Sequence, residues 1–163
     1  VSRVAPRALV PIPDFDTPAA QGHRAIPFSH RRFVDESSYT LLKSRDYLFV
    51  YKSEDDIRNI RIDPGIFNRI NLDPGGLCVT APGDRVDFVS RFFTPQASFL
   101  EDPVTGSAHC SLVPYWANIL GKSELTAQQL SRREGNLFCA FDGDTVVVAG
   151  HAVLFQKGTI FID

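Results

Sequence analysis

The segment best suited to chemistry is the run Glu101-Asp102-Pro103-Val104-Thr105-Gly106-Ser107-Ala108-His109, which passes from a turn into an amphipathic helix. The residue before a proline avoids helical angles, so Asp102 should be extended, while Gly106 allows backbone conformations closed to other residues. Ser107 is placed to cap the helix. Unpaired N–H groups at the helix start and the positive end of its dipole should then form an anion site facing Asp102. The run predicts a place to hold an anionic ligand and to move a proton.

Each side chain of this run also has a purely structural interpretation. Asp102 can cap local N–H groups, as aspartate does in many turns, or it can orient a substrate and assist proton movement. Ser107 can be helix cap and ligand contact together. His109, in the first helical turn, either donates to a ligand or packs in the interior. Composition alone favours the structural role for Asp102.

One long helix should follow the turn. Apolar residues recur at three- and four-residue intervals, which indicates a single buried face that ends near Gly121. The positions that carry this pattern are Ala108, Leu112, Val113, Tyr115, Trp116, Ile119 and Leu120. We expect Trp116 and Cys110 to lie in the core.

Most other apolar runs are short and β-prone. They predict strands at 47–51, 77–81, 86–94, 136–141, 145–149, 153–155 and 159–162. Asp142-Gly143 predicts a hairpin between the fourth and fifth of these, and the last two should extend it into a meander. The stretch 66–72 indicates a short helix after a stop at Asp63-Pro64-Gly65. The total predicts an α+β fold with mostly antiparallel strands around or against one main helix.

The whole chain limits the classes of function. Its 163 residues, 44% of them hydrophobic, suffice for the core of one domain, and a net charge of −2 gives no indication of a polyanionic partner. Adjacent basic residues occur only at Arg31-Arg32 and Arg132-Arg133, so we expect no nucleic-acid binding. No apolar stretch approaches the ~20 residues of a membrane span, and no signal segment opens the chain. We therefore expect a soluble, cytoplasmic protein that does not associate with membranes.

Cysteine and histidine usage gives no indication of a metal centre. Cys78, Cys110 and Cys139 are odd in number, fit neither a disulfide framework nor a zinc site, and lie within apolar patterns. We expect buried thiols in a reducing compartment. The four histidines include no pair at metal-ligand spacing, so no metal is predicted. Methionine is absent, even at position 1, which leads us to expect one piece of a longer protein.

The order and spacing of four motifs are similar to those of a known family. The motifs are Asp87-Phe88-Val89-Ser90-Arg91-Phe92-Phe93-Thr94-Pro95, the run 101–109, Pro114-Tyr115-Trp116, and the valine-rich end of the chain to Lys157-Gly158. They resemble the phenazine-biosynthesis-like isomerases, or PhzF family, which share the diaminopimelate-epimerase-like fold. The resemblance implies two similar lobes, each a barrel-like sheet around a central helix, with the active site between two helix N-termini. Residues 38–163 resemble the second lobe, and residues 1–37 would be a linker or inter-lobe segment.

The same resemblance implies site roles. Asp102 looks like the family's catalytic aspartate, and the substrate-binding turn would be Thr105, Gly106, Ser107, Ala108 and His109. The family's first lobe carries a glutamate proton shuttle in an Asn-Asn-Leu-Ser-Glu-like segment, which has no counterpart here. Its Gly-His-Ala-Thr motif is matched only by letters at Gly150-His151-Ala152. Where the family commonly has Arg-Gly-Gly, this chain has Arg133-Glu134-Gly135.

Two functions follow from the resemblance. The first is the second lobe of a cofactor-independent isomerase or epimerase, which moves a proton on a small carboxylate-bearing molecule and takes its main base from the first lobe. This chain alone would then be inactive. The second is a non-catalytic binding or interaction protein that keeps the fold without the glutamate. The expected partners are the small carboxylate and the first lobe, on the same protein or a second chain, or another copy forming a homodimer.

Overall fold

The structure, a computed structural model, describes residues 1–11, 40–69, 75–95 and 97–160. These residues form nine strands and three helices. The strands are β1 Ser2–Val4, β2 Val10–Pro11, β3 Thr40–Lys43, β4 Tyr47–Val50, β5 Leu77–Pro82, β6 Phe88–Phe93, β7 Glu124–Gln129, β8 Gly135–Phe141 and β9 Val146–Ala149. The helices are α1 Glu54–Asn59, α2 Pro64–Phe67 and α3 Gly106–Leu120.

All nine strands of the described residues join one mixed sheet in the order β1-β9-β8-β7-β6-β5-β4-β3-β2. The β4–β5 and β6–β7 pairs are parallel and the other pairs are antiparallel. Parallel neighbours need a crossover, and α3 supplies it between β6 and β7. The start of α3 therefore follows the end of β6. An α+β fold with mostly antiparallel strands and one main helix is what the sequence predicts.

Alternate side chains of the central strands enter two separate cores, because successive residues of a strand point to opposite faces. On one face, Phe88 and Phe92 of β6 pack with Leu112 and Trp116 of α3. On the other face, Val89 and Phe93 join residues of α1 and β5 in a second cluster. The sheet is thus covered on both faces, and α3 is fixed to one of them by buried apolar contacts.

Helix α3 ends where the sequence predicts. Gly121 adopts a left-handed φ of 64°, and its N–H donates to the carbonyl of Ala117. The prediction that Ile119 and Leu120 belong to the buried face is wrong, since they are 61% and 38% exposed. All four residues from 118 to 121 are exposed. The last turn therefore extends beyond the core, which residue type alone does not reveal.

The segment 54–69 is more helical than its sequence suggests. Ser53 and Asp56 form a capping box that begins α1, a helix that the sequence analysis does not predict. The predicted stop at Asp63-Pro64-Gly65 is instead the start of α2, because the Asp63 carboxylate accepts from the amides of Gly65 and Ile66. The helix expected at 66–72 begins earlier and ends at Phe67. Residues 70–72 lie outside the described part.

Both ends of the chain differ from expectation. Strands β1 and β2 arise from the stretch 1–37, which we interpreted as a linker, and they occupy the two ends of the sheet; residues 12–37 lie outside the described part. The strands predicted at 153–155 and 159–162 are wrong for every described residue, since 150–160 contains no strand and is exposed. Strand β1 pairs with the edge of β9 that the next strand of a meander would have used.

Candidate functional site

The segment before α3 is fixed against the end of β6. The amide of Asp102 donates to the carbonyl of Phe92 at 3.0 Å. The Glu101 carboxylate pairs with the Arg91 guanidinium through two bonds of 2.6 and 3.1 Å, a bidentate geometry that defines both position and orientation. Arg91 also donates to two carbonyls, those of Ile57 and Ile60. The backbone of Asp102 is therefore anchored to the sheet beside the start of α3.

The Asp102 carboxylate is half-buried and faces the first residues of the helix. Its Oδ2 accepts a hydrogen bond of 2.6 Å from the Thr105 hydroxyl. Within the described residues, no other hydrogen bond to this carboxylate is present. Oδ1 of this carboxylate thus accepts no hydrogen bond from the part of the chain that the structure describes.

The helix begins at Gly106, and Thr105 is its N-cap residue. The prediction that Ser107 caps the helix is wrong, because Ser107 lies inside the first turn. The Thr105 side chain does not cap the helix either, since its hydroxyl is hydrogen-bonded to Asp102. The first N–H groups of a helix have no acceptor within it. A Cβ added at Gly106 would meet no atom within 4 Å, so a ligand can approach these amides closely.

A cationic side chain lies beside the open helix start. Arg45, in the turn between β3 and β4, donates from Nη2 to the Ser107 hydroxyl at 3.3 Å. Its Nε donates to Asp46, a buried carboxylate that also accepts from the Gly76 amide. A guanidinium and the helix dipole thus both favour a negative charge at this point. Arg45 could not be predicted from the sequence, because 62 residues separate it from Ser107 and no local pattern links them.

Ala108 and His109 lie beneath the turn and are buried, with exposures of 4% and 0%. The His109 Nδ1–H donates to the carbonyl of Thr105 at 2.8 Å, and the ring lies against Phe88. Burial lowers the pKa of His109, although the bond to Thr105 opposes this effect. Burial thus favours the neutral form of the imidazole. The sequence leaves two roles open for His109, donation to a ligand and packing in the interior. These contacts favour packing.

Gln129, at the end of β7, hydrogen-bonds to the turn that leads into α3, and it too was not predicted from the sequence. It is 1% exposed and bonds to both Asp102 and Thr105. A signal for it existed, since Leu125, Ala127 and Gln129 alternate toward the core and only the third is polar. A buried amide needs partners, and the site turn supplies them.

The start of β8 also contacts the turn. A Cβ on Gly135 would lie 2.3 Å from Val104 Cγ2, so any other residue here would force Val104 to move. The preceding residue, Glu134, has a φ of 54°. Glycine adopts this left-handed conformation without strain, which gives a physical reason for the Arg-Gly-Gly pattern from which this chain departs.

Other candidate chemistry is limited within the described residues. They include no group of three or more histidine, cysteine or acidic residues able to hold a metal. The three cysteines are free and buried, and burial raises the pKa of the Cys139 thiol to about 12. His151 is exposed and packs edge-on against Phe138. None of the helices in the described ranges is long and apolar enough to cross a membrane.

The described residues form an α+β unit in which a half-buried carboxylate lies beside the N-terminus of the main helix. Comparison with known proteins identifies the family of this fold. The PhzC-PhzF family model, described as phenazine biosynthesis-like protein, matches residues 39–158. The chain belongs to this family.

The relatives extend well beyond this chain. Two uncharacterized isomerases of Pseudomonas aeruginosa are 52% identical over 121 residues and 46% identical over 123 residues, covering 74% and 75% of this chain and 46% of each relative. The crystal structure of a putative phenazine biosynthesis PhzC/PhzF protein from Clostridium difficile has a TM-score of 0.73 at 33% identity, covering 98% of this chain and 57% of that one. The chain thus spans about half the length of the curated relatives it matches.

Proposed function

We propose that residues 38–163 are the second lobe of a two-lobed, cofactor-independent isomerase with the diaminopimelate-epimerase-like fold. Its substrate would be a small carboxylate-bearing metabolite on which a proton is moved. One observation carries the proposal: the Asp102 carboxylate is held by Thr105 directly beside the open amides at the start of α3. Fixed N–H donors next to an acid–base group are what a carbanion-forming proton transfer requires.

Each part of the turn has a role in this proposal. The amides at the start of α3, together with Ser107 and Arg45, bind the carboxylate of the substrate. Asp102 uses its free oxygen to orient the substrate or to exchange a proton at the reacting carbon. A second acid–base group comes from the other lobe, since Glu101 is paired with Arg91 and His109 is buried. The chain by itself is therefore expected to show no turnover.

Deuterium incorporation tests the proposal even when the product has not been identified. The protein with both lobes is incubated in D₂O with a panel of small amino and hydroxy acids, and loss of a C–H signal is followed by proton NMR. We expect exchange with one class of acid, and Asp102→Asn should slow it by at least ~10²-fold, the usual contribution of a positioned acid–base group. Asp144→Asn is the matched control, because Asp144 is an exposed residue of the β8–β9 turn.

A non-catalytic binding protein is the second candidate. It is favoured by the neighbours of Asp102, because Glu101 is paired with Arg91 and His109 is buried, so neither supplies a second acid–base group to this turn. Binding of small carboxylates without deuterium exchange, in the protein with both lobes, would select this candidate. Exchange that Asp102→Asn abolishes would reject it. Measurable isomerisation by the 163 residues alone would contradict the division of acid–base groups between two lobes.

We also propose that this lobe associates with its complement, on the same chain or a second one. The support is an exposed apolar segment near the end of the described chain: Val153, Leu154, Phe155 and Ile160 are 92%, 81%, 96% and 86% exposed. Exposed apolar patches of this kind favour burial against a partner. Analytical ultracentrifugation of the isolated chain should detect self-association, and a stable monodisperse monomer would argue against it.

A further inference from the structure

All the polar atoms of the Gln129 side chain hydrogen-bond to the turn formed by residues 102–105. Its Oε1 accepts from the amide of Thr105 at 2.8 Å. Its Nε2 donates to the carbonyl of Asp102 at 2.7 Å and to the Thr105 hydroxyl oxygen at 3.1 Å. A glutamine amide offers two N–H groups and one carbonyl, so both hydrogens and the oxygen have partners.

These bonds determine the direction of the next one. The Thr105 hydroxyl carries a single hydrogen and accepts the bond from Gln129 at its oxygen. That hydrogen is therefore directed to Asp102 Oδ2, 2.6 Å away. The sequence Gln129 to Thr105 to Asp102 is a one-way chain of donors. It keeps Oδ2 occupied and leaves Oδ1 for the substrate.

Burial supports a positioning role rather than a chance contact. Leu125 and Ala127, the preceding core-facing residues of β7, are apolar, and an apolar residue at 129 would avoid the cost of burying an amide. Just beyond β7, the Ser131 hydroxyl donates to the carbonyl of Pro103 at 2.8 Å. The end of this strand thus holds the carbonyls of both residues at the bend that leads into α3.

We propose that Gln129 is a positioning residue for the proton transfer: through Thr105 it fixes the orientation of the Asp102 carboxylate toward the substrate. This inference rests on the proposed function, and Gln129 itself touches no substrate. The substrate carboxylate is held by the amides of α3, which Gln129 does not contact. Loss of Gln129 should therefore lower kcat much more than it raises KM.

The first test compares Gln129→Met with Gln128→Met. Methionine keeps the length of the side chain and removes its hydrogen bonds. Gln128 is the matched control, because it is the adjacent residue on the opposite face of β7 and its side-chain bond is to Glu134 at 3.3 Å. Amide exchange measured by NMR on the 163-residue chain should be roughly 2- to 10-fold faster at Thr105 in Gln129→Met and unchanged in the control. Unchanged exchange in Gln129→Met would overturn the inference.

The second test is kinetic and uses the protein with both lobes in the D₂O assay. Gln129→Met should lower kcat on the order of 10²-fold, the effect of misplacing a reacting group by about 1 Å, with KM changed by less than about threefold. Thr105→Val should act in the same way, and the double variant should lose little more than the worse single variant, because both act through one hydroxyl. Independent, multiplying losses would overturn the proposed chain of donors.

The outcomes separate this inference from the proposed function. An active wild-type protein with normal kcat in Gln129→Met refutes the inference and leaves the function intact. A wild-type protein without exchange overturns both, since Gln129 then positions nothing for catalysis. If Gln129→Met does not fold, Thr105→Val decides, because it keeps the bonds from Gln129 to the backbone of Thr105 and Asp102. A normal kcat in that variant refutes the inference.

Discussion

Glu134 offers a quantitative test of the loop that supports the site turn. Among the described residues it is the one residue other than glycine with a positive φ, at 54°. A left-handed conformation costs an ordinary residue about 1–2 kcal/mol. The Glu134 side chain, half exposed, lies 3.7 Å from the Arg58 guanidinium, and such an exposed ion pair contributes about 0.2–1 kcal/mol.

Two substitutions separate these contributions. Glu134→Ala removes the ion pair and the hydrogen bond from Gln128 but keeps a Cβ in the strained conformation, so the free energy of unfolding should fall by about 0.7–2.5 kcal/mol. Glu134→Gly also relieves the strain of about 1–2 kcal/mol, while the more flexible unfolded chain costs about 0.4–1 kcal/mol. The glycine variant should therefore be more stable than the alanine variant, by up to about 1.6 kcal/mol.

Equilibrium unfolding in urea, followed by circular dichroism, measures both differences. A second series at 1 M NaCl should shrink the gap between wild type and Glu134→Ala, because salt screens the ion pair. The gap between the two variants should persist, because backbone strain is not electrostatic. A glycine variant less stable than the alanine variant at both salt concentrations would show that the loop stores no strain at this position.

Three further predictions concern the core. Leu112→Ala should lower the free energy of unfolding by about 2–5 kcal/mol, because Leu112 is 0% exposed. Ile119→Ala, at a 61% exposed site on the same helix, should change it by less than about 0.5 kcal/mol. Equal losses in urea unfolding would contradict the assigned buried face. The lowered pKa of His109 means that the unfolded chain binds the extra proton, so stability is full above pH ~6.5 and falls as pH drops below it, by up to about 1.4 kcal/mol per unit. In His109→Gln the free energy of unfolding should fall less steeply between pH 7.5 and 5.5 than in the wild type. Identical slopes in the two proteins would refute the lowered pKa of His109. Cys139, with a pKa of about 12, should resist a thiol reagent at pH 8 until urea unfolds the chain, and rapid native labelling would contradict its burial.

Local signals account for the parts of the fold that were predicted correctly. Strands β5 and β6, the β8–β9 hairpin around Gly143 and the end of α3 at Gly121 each depend on a few neighbouring residues. The strand predicted at 153–155 is not formed, because its formation depends on pairing with a distant part of the chain and not on neighbouring residues. A continued meander would have to pair with β9, and β1, from the far end of the chain, occupies that edge of β9.

By itself, the sequence determined the turn, the helix behind it and the family that both resemble, since the run 101–109 combines a proline bend, a glycine and a carboxylate within one short stretch. Only the tertiary structure decided what surrounds Asp102. Arg45 lies 62 residues before Ser107, and Gln129 lies 24 residues after Thr105. The pairing of β4 with β5 and of β5 with β6 brings Arg45 to the start of α3, and the pairing of β6 with β7 brings Gln129 there. Such contacts depend on how distant strands pair, and no local pattern encodes that pairing.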